Sequence, residues 1–159
     1  MSIQIPNLHT SNNTEVNIMK GALVSIKGRH DSSHAGEFFI EGYLKFDATT
    51  DQYPSAHLTM KIDLSDSAKG TVLIDSVEQL DSLGRDTPTA YATGRCVIDT
   101  DYKTAGCRYW CLFANNKNSR EKETPDTISF LIFDRNGKRV AYGTGPVVKG
   151  DIAISPSHE

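Results

Sequence analysis

Two histidines and an aspartate stand close together in "GRHDSSHAG" (28–36): His30, Asp31 and His34. Imidazole nitrogens and carboxylate oxygens hold zinc and similar ions, but a metal needs several such donors converging on one point. An H-x3-H spacing aligns its nitrogens on a helix, and Asp-Ser-Ser-His-Ala-Gly favours a turn instead. The segment reads as solvated turn residues, so neither a metal nor another cofactor is expected. The thiols are the next reactive groups. Cys96, Cys107 and Cys111 make an odd number and contain no CxxC, which fits reduced thiols better than a disulfide framework. If 88–99 and 107–115 pair through a turn near residue 103, Cys96 falls opposite the 107–111 region, where Cβ atoms lie about 4.5–5.5 Å apart. Small buried hydrophobes is the expected role of all three.

Carboxylates and guanidinium groups among aromatic rings are another source of chemistry. Glu41 shares a strand face with Phe39 and Tyr43, Arg95 shares one with Tyr91, and Tyr109 and Trp110 adjoin in a third segment. A charged group among rings marks a pocket; Glu37, Glu41 and Lys45 also suit the wet side of a strand. Glu41, Tyr43, Arg95, Tyr109 and Trp110 are the ligand-binding candidates on this reading. No catalytic residue can be named, because the chain has no nucleophile elbow, Walker loop, HExxH or GxGxxG. Gly143-Thr144-Gly145 lacks a strand-to-helix context and reads as a turn.

The elements that would position these residues are strands. "EFFIEGYLKF" (37–46) puts Phe38, Ile40, Gly42, Leu44 and Phe46 on one face, and "SAHLTMKID" (55–63) turns Ala56, Leu58, Met60 and Ile62 inward. This period of two predicts half-buried antiparallel strands. Further strands are expected over 18–27, 70–80, 88–99, 107–115, 127–134, 138–143 and 147–154. "DATTDQYP", "DLSDSAKG" and "DTDYKTAG" supply turns between them. Asn136-Gly137 is the clearest hairpin signal, with both residues suited to a type I′ turn. "SVEQLDSLG" (76–84) reads as a short helix or as a strand ending in a loop. About eight or nine short strands imply an all-β antiparallel barrel or barrel-like sandwich. One domain over 17–155 is expected, behind a mobile tail of residues 1–16.

Bulk properties narrow the partners. The 159 residues carry a net charge of −3 with no clustering of basic side chains, which argues against nucleic acid. "NSREKETPD" (118–126) mixes signs and reads as a solvated loop. No run approaches the roughly 18 apolar residues of a membrane helix. The N-terminus lacks a basic region followed by an apolar one, so a cytoplasmic location is expected and the Asn12-Asn13-Thr14 sequon is read as chance.

The closing stretch adds a resemblance. Asp126-Thr127, the apolar run Ile128 to Phe133, Asn136-Gly137, Gly143 and Gly145, and the strand Gly150 to Ile154 follow one another in an order similar to the ending of the post-COAP-type β domain of bacterial proteins. The likeness spans roughly residues 18–154. It implies a small all-β fold and carries no catalytic residue.

Two segments are apolar on both faces. Cys107, Tyr109, Cys111 and Phe113 oppose Trp110 and Leu112, and Ile128, Phe130 and Ile132 oppose Leu131 and Phe133. One face fills a core; the other needs cover, since large apolar patches are uncommon on monomers. A partner subunit, the N-terminal tail or a small apolar ligand could supply it. Mixed aromatic and aliphatic sheet faces suit isologous packing, so a homodimer is the expected cover. The function expected is a non-enzymatic binding module, using an apolar barrel interior or sheet face. The alternative is a small barrel enzyme, of isomerase or cyclase type, working in the barrel cavity.

Overall fold

Alternation along the chain folds into ten strands in the computed structural model, which describes residues 13–26, 36–47, 51, 53–64, 69–83, 89–99, 103–116 and 125–155. They are β1 (Asn13–Ile26), β2 (Gly36–Asp47), β3 (Ser55–Leu64), β4 (Lys69–Ile74), β5 (Gln79–Leu83), β6 (Thr89–Asp99), β7 (Lys103–Ala114), β8 (Thr127–Phe133), β9 (Arg139–Gly150) and β10 (Ala153–Ser155). No helix occurs among the described residues, and none there could cross a membrane. His30, Asp31, His34 and Asn12 lie outside the described residues.

Eight strands run β1-β2-β3-β4-β6-β7-β8-β9, all antiparallel, and β9 returns to β1 through Ala22↔Gly150, Leu23↔Lys149 and Val24↔Val147. The sheet is therefore a closed barrel. Two long strands change partners along their length. β6 pairs with β4 at 97–99 and with β5 at 89–93, while β1 pairs with β9 near 22–24 and with β10 at 15–17. β4 and β5 thus act as one strand broken at 75–78, and β9 and β10 as one broken at 151–152.

Phe38, Ile40 and Leu44 of β2, Leu58, Met60 and Ile62 of β3, and Tyr109 and Phe113 of β7 fill the interior with almost no accessible surface. Phe38 and Phe130 meet edge to face, with ring centroids 4.8 Å apart. A ligand-sized cavity would leave accessible surface on such side chains; eight strands enclose just enough room for side chains to fill. Outward positions on β2 and β3 include Glu41, Lys45, Lys61 and Asp63. This apolar-in, charged-out order is the reverse of the alternation in membrane-spanning barrels.

Three expectations change, and of the two readings of 76–84 the strand holds. β1 starts at Asn13, because Thr14 and Val16 are already inward and opposite Phe46 and Leu44, so pairing reaches into the segment read as a tail. Residues 79–83 form a strand, since pairing with β6 outweighs the helical spacing of Val77, Leu80 and Leu83. Gly143 and Gly145 lie within β9, opposite Phe130 and Ile128, and are not a turn. They are small because β1 crosses close by: a Cβ at Gly145 would collide with the Ser25 carbonyl, and one at Gly143 with Ile26. The β8–β9 turn also differs from type I′, for Asn136 lacks the positive φ that such a turn requires. Gly137 takes φ 80°, its N–H donates to the Asp134 carbonyl at 3.0 Å, and the Asp134 carboxylate accepts from the N–H groups of Asn136 and Lys138. A three-residue loop with a left-handed glycine results, and the short aspartate side chain makes it favourable.

Cys96 sits directly opposite Cys107, Cys111 lies opposite Ala92 and Phe130, and all three are buried and outside any disulfide. Burial pushes Cys96 up to about 12 from the usual 9.0, and raises Cys107 and Cys111 as well. Folding thus favours the protonated thiols. Their contribution is whole below the unfolded value of 9.0 and is lost as pH climbs toward about 12. Urea midpoints should accordingly hold steady through neutral pH and fall above pH 9, and a thiol reagent at neutral pH should label the three cysteines fast only after denaturation. Gly145→Val should lower stability by about 1–3 kcal/mol through overpacking at the β9–β1 seam, read by urea unfolding.

Candidate functional site

The outer wall of β6 to β9 carries a cluster of apolar side chains that the core does not use. Register sets them in two rows across the sheet. One row runs Thr93, Trp110, Leu131, Tyr142; the next runs Tyr91, Leu112, Ser129, Thr144. Because alternate residues share a face, both rows point away from the filled interior. All of them but Thr93 line a groove of about 330 Å³. Trp110 remains 46% exposed and Leu112 42%. Tyr91 and Trp110 are diagonal neighbours, their ring centroids 5.5 Å apart and tilted by 39°. Opposite them, Ser129 donates to the Thr144 hydroxyl at 2.9 Å.

Charge gathers beyond the Trp110 row. Arg95 and Arg108 are cross-strand partners, and Glu78 from the 75–78 link reaches both. Arg108 donates twice to the Glu78 carboxylate, at 2.6 and 3.2 Å, and Arg95 Nε lies 3.7 Å from it. The Arg108 hydrogen bond, helped by the charges of both arginines, holds the Glu78 carboxyl below its usual range. The link comes this close because Gly94 has no side chain: a Cβ there would strike the Ser76 carbonyl. That carbonyl accepts the buried Tyr109 hydroxyl at 2.7 Å.

On the other side Arg139 rests over the Tyr142 ring, 4.0 Å from its centroid. Uninterrupted alternation from outward Tyr142 would turn Arg139 inward. A bulge lies between the pairs Ile132↔Ala141 and Phe133↔Arg139, and its extra β9 residue brings Arg139 opposite outward Phe133. Re-aiming one side chain is a common consequence of a bulge.

The five residues singled out from the sequence do not form one site. Trp110 lines the groove, and Arg95 stands at its charged end. Tyr109 is interior and fully buried. Glu41 and Tyr43 face outward on β2, four strands from β7 by either route around the barrel, and there Tyr43 neighbours His57 at 6.4 Å. The sequence reading did not single out Tyr142, Ser129, Thr144, Glu78 or Arg139 as site residues. The hairpin register opposes Leu131 to Tyr142 and was a usable signal for that ring; nothing local marks Glu78. No three His, Cys, Asp or Glu side chains converge to hold a metal among the described residues.

Fold and site together define a closed eight-stranded antiparallel barrel with a filled interior and an aromatic groove on its outer wall. No model of a known family matches the chain, and neither a curated protein nor a solved structure matches it.

Tyr109→Phe tests the strut beneath Glu78. It keeps the ring and strands the Ser76 carbonyl, so stability should fall by about 1–3 kcal/mol in urea unfolding.

Proposed function

We propose that the chain is a binding module whose site is the outer groove, taking a small ligand with a flat apolar face. The observation that carries this reading is Trp110 and Leu112 left 46% and 42% exposed within a groove, while the apolar side chains of the interior are fully buried. Its size lies near the lower end of small-molecule sites, at about 300 Å³. Aromatic rings give such a ligand stacking surface at little cost in side-chain order, and the Ser129 and Thr144 hydroxyls add polar contacts. The filled interior favours this outer wall over binding, or a reaction, within the barrel. The enzyme reading gains nothing from the groove's neighbours, since Glu78 is engaged by Arg108 and Asp81 by the Gln79 amide.

Trp110 is the single tryptophan of the chain and so a direct reporter. Titration with the uncharged probe phenylnaphthylamine should quench its fluorescence saturably, and Leu131→Glu should abolish the effect while the urea midpoint shifts little. Light scattering should give the mass of one chain at micromolar concentration. A dimer of wild type that Leu131→Glu dissociates would overturn the proposal and make a second copy the cover of this face. Absence of saturable quenching by phenylnaphthylamine and by its anionic analogue anilinonaphthalene sulfonate alike would overturn it as well.

A further inference from the structure

The groove is electrically lopsided. At one end stand the guanidinium groups of Arg95, Arg108 and Arg139, and with them the carboxylate of Glu78. Glu78 spends its two oxygens on Arg108 and lies farther from Arg95. Arg139 has no carboxylate partner among the described residues; it lies against the π face of Tyr142, which leaves its charge uncancelled. The opposite end carries the Ser129–Thr144 hydroxyl pair, and Asp81, across from Tyr91 on β5, accepts from the Gln79 amide at 2.8 Å. In a chain with a net charge of −3, this is a local surplus of positive charge beside an apolar surface. The bulge in β9 puts Arg139 there, and regular pairing would have turned it away.

Accepting the groove as the binding site, we infer that its ligand class is an amphipathic organic anion. The flat apolar body lies along Trp110, Leu131 and Tyr142, and the carboxylate, sulfonate or phosphate head meets Arg139, with Arg95 and Arg108 behind it. Guanidinium groups suit this task, because they stay charged and offer paired N–H donors to an oxyanion. An uncharged ligand would leave the Arg139 fork facing water without a partner of its own.

Two probes that share one ring system separate the charge from the apolar body: anilinonaphthalene sulfonate, which is anionic, and phenylnaphthylamine, which is not. The anion should bind about tenfold more tightly, the factor expected for one charge-assisted contact. That advantage should vanish in Arg139→Gln, with phenylnaphthylamine affinity unchanged, and should shrink at about 1 M salt, where the screening length is about 3 Å. Arg139 is exposed, so the variant should keep the wild-type urea midpoint; Arg95→Gln provides a second variant, with a smaller loss expected. Equal affinity for the two probes, or anion binding untouched by Arg139→Gln, would overturn the inference and leave the groove standing. Failure of both probes to quench Trp110 would overturn the groove and the inference together.

Discussion

Closure between the first long strand and the last is the constraint on which the rest depends. Eight strands leave an interior that side chains fill, but only if β9 lies close enough to β1 to complete the ladder. Glycine at 143 and 145 makes that approach feasible, because Ile26 and the Ser25 carbonyl occupy the space a side chain would take. Once the ring is closed, all inward positions are committed to packing. The apolar residues left over, Trp110, Leu112 and Leu131, have no interior to enter and must form a surface.

That surface owes its character to local irregularity as much as to regular pairing. Alternation alone gives the two outward rows. The link at 75–78 adds Glu78 beside Arg95 and Arg108, and it fits only over Gly94. The β9 bulge adds Arg139 over Tyr142. Each device interrupts a strand at the margin of the groove, and each brings charge to the same end of it. Regular strands supply the rings and irregular ones the ions.

The fold class was legible in the sequence because a period of two survives along most strands: Phe38, Ile40 and Leu44, or Leu58, Met60 and Ile62, are inward in the reading and in the structure. Cys96 opposite the 107–111 region was legible for the same reason. The hairpin was legible in part. A two-residue turn and the actual three-residue loop give one register at Leu131↔Tyr142, because the bulge near Val140 restores the offset that the longer loop introduces. The same cancellation hid Arg139, which a regular hairpin directs inward. Strand order was not legible at all. Glu41 and Arg95 look alike as charged residues beside tyrosines, and only the circuit of the barrel reveals that they face away on different walls.

The seam has a further consequence, in time. β1 comprises residues 13–26, yet its closing partners are residues 147–150 and 153–155. A chain emerging from the ribosome can zip β2 onto β1, and each later strand onto its predecessor, but both margins of the growing sheet stay open until residues 147–155 appear. Open margins with unpaired N–H and C=O groups invite pairing with other chains, and contacts so distant in sequence form slowly. The barrel is thus most exposed to aggregation just before residues 147–155 emerge, and loss of that short segment would prolong the exposure far more than its length implies.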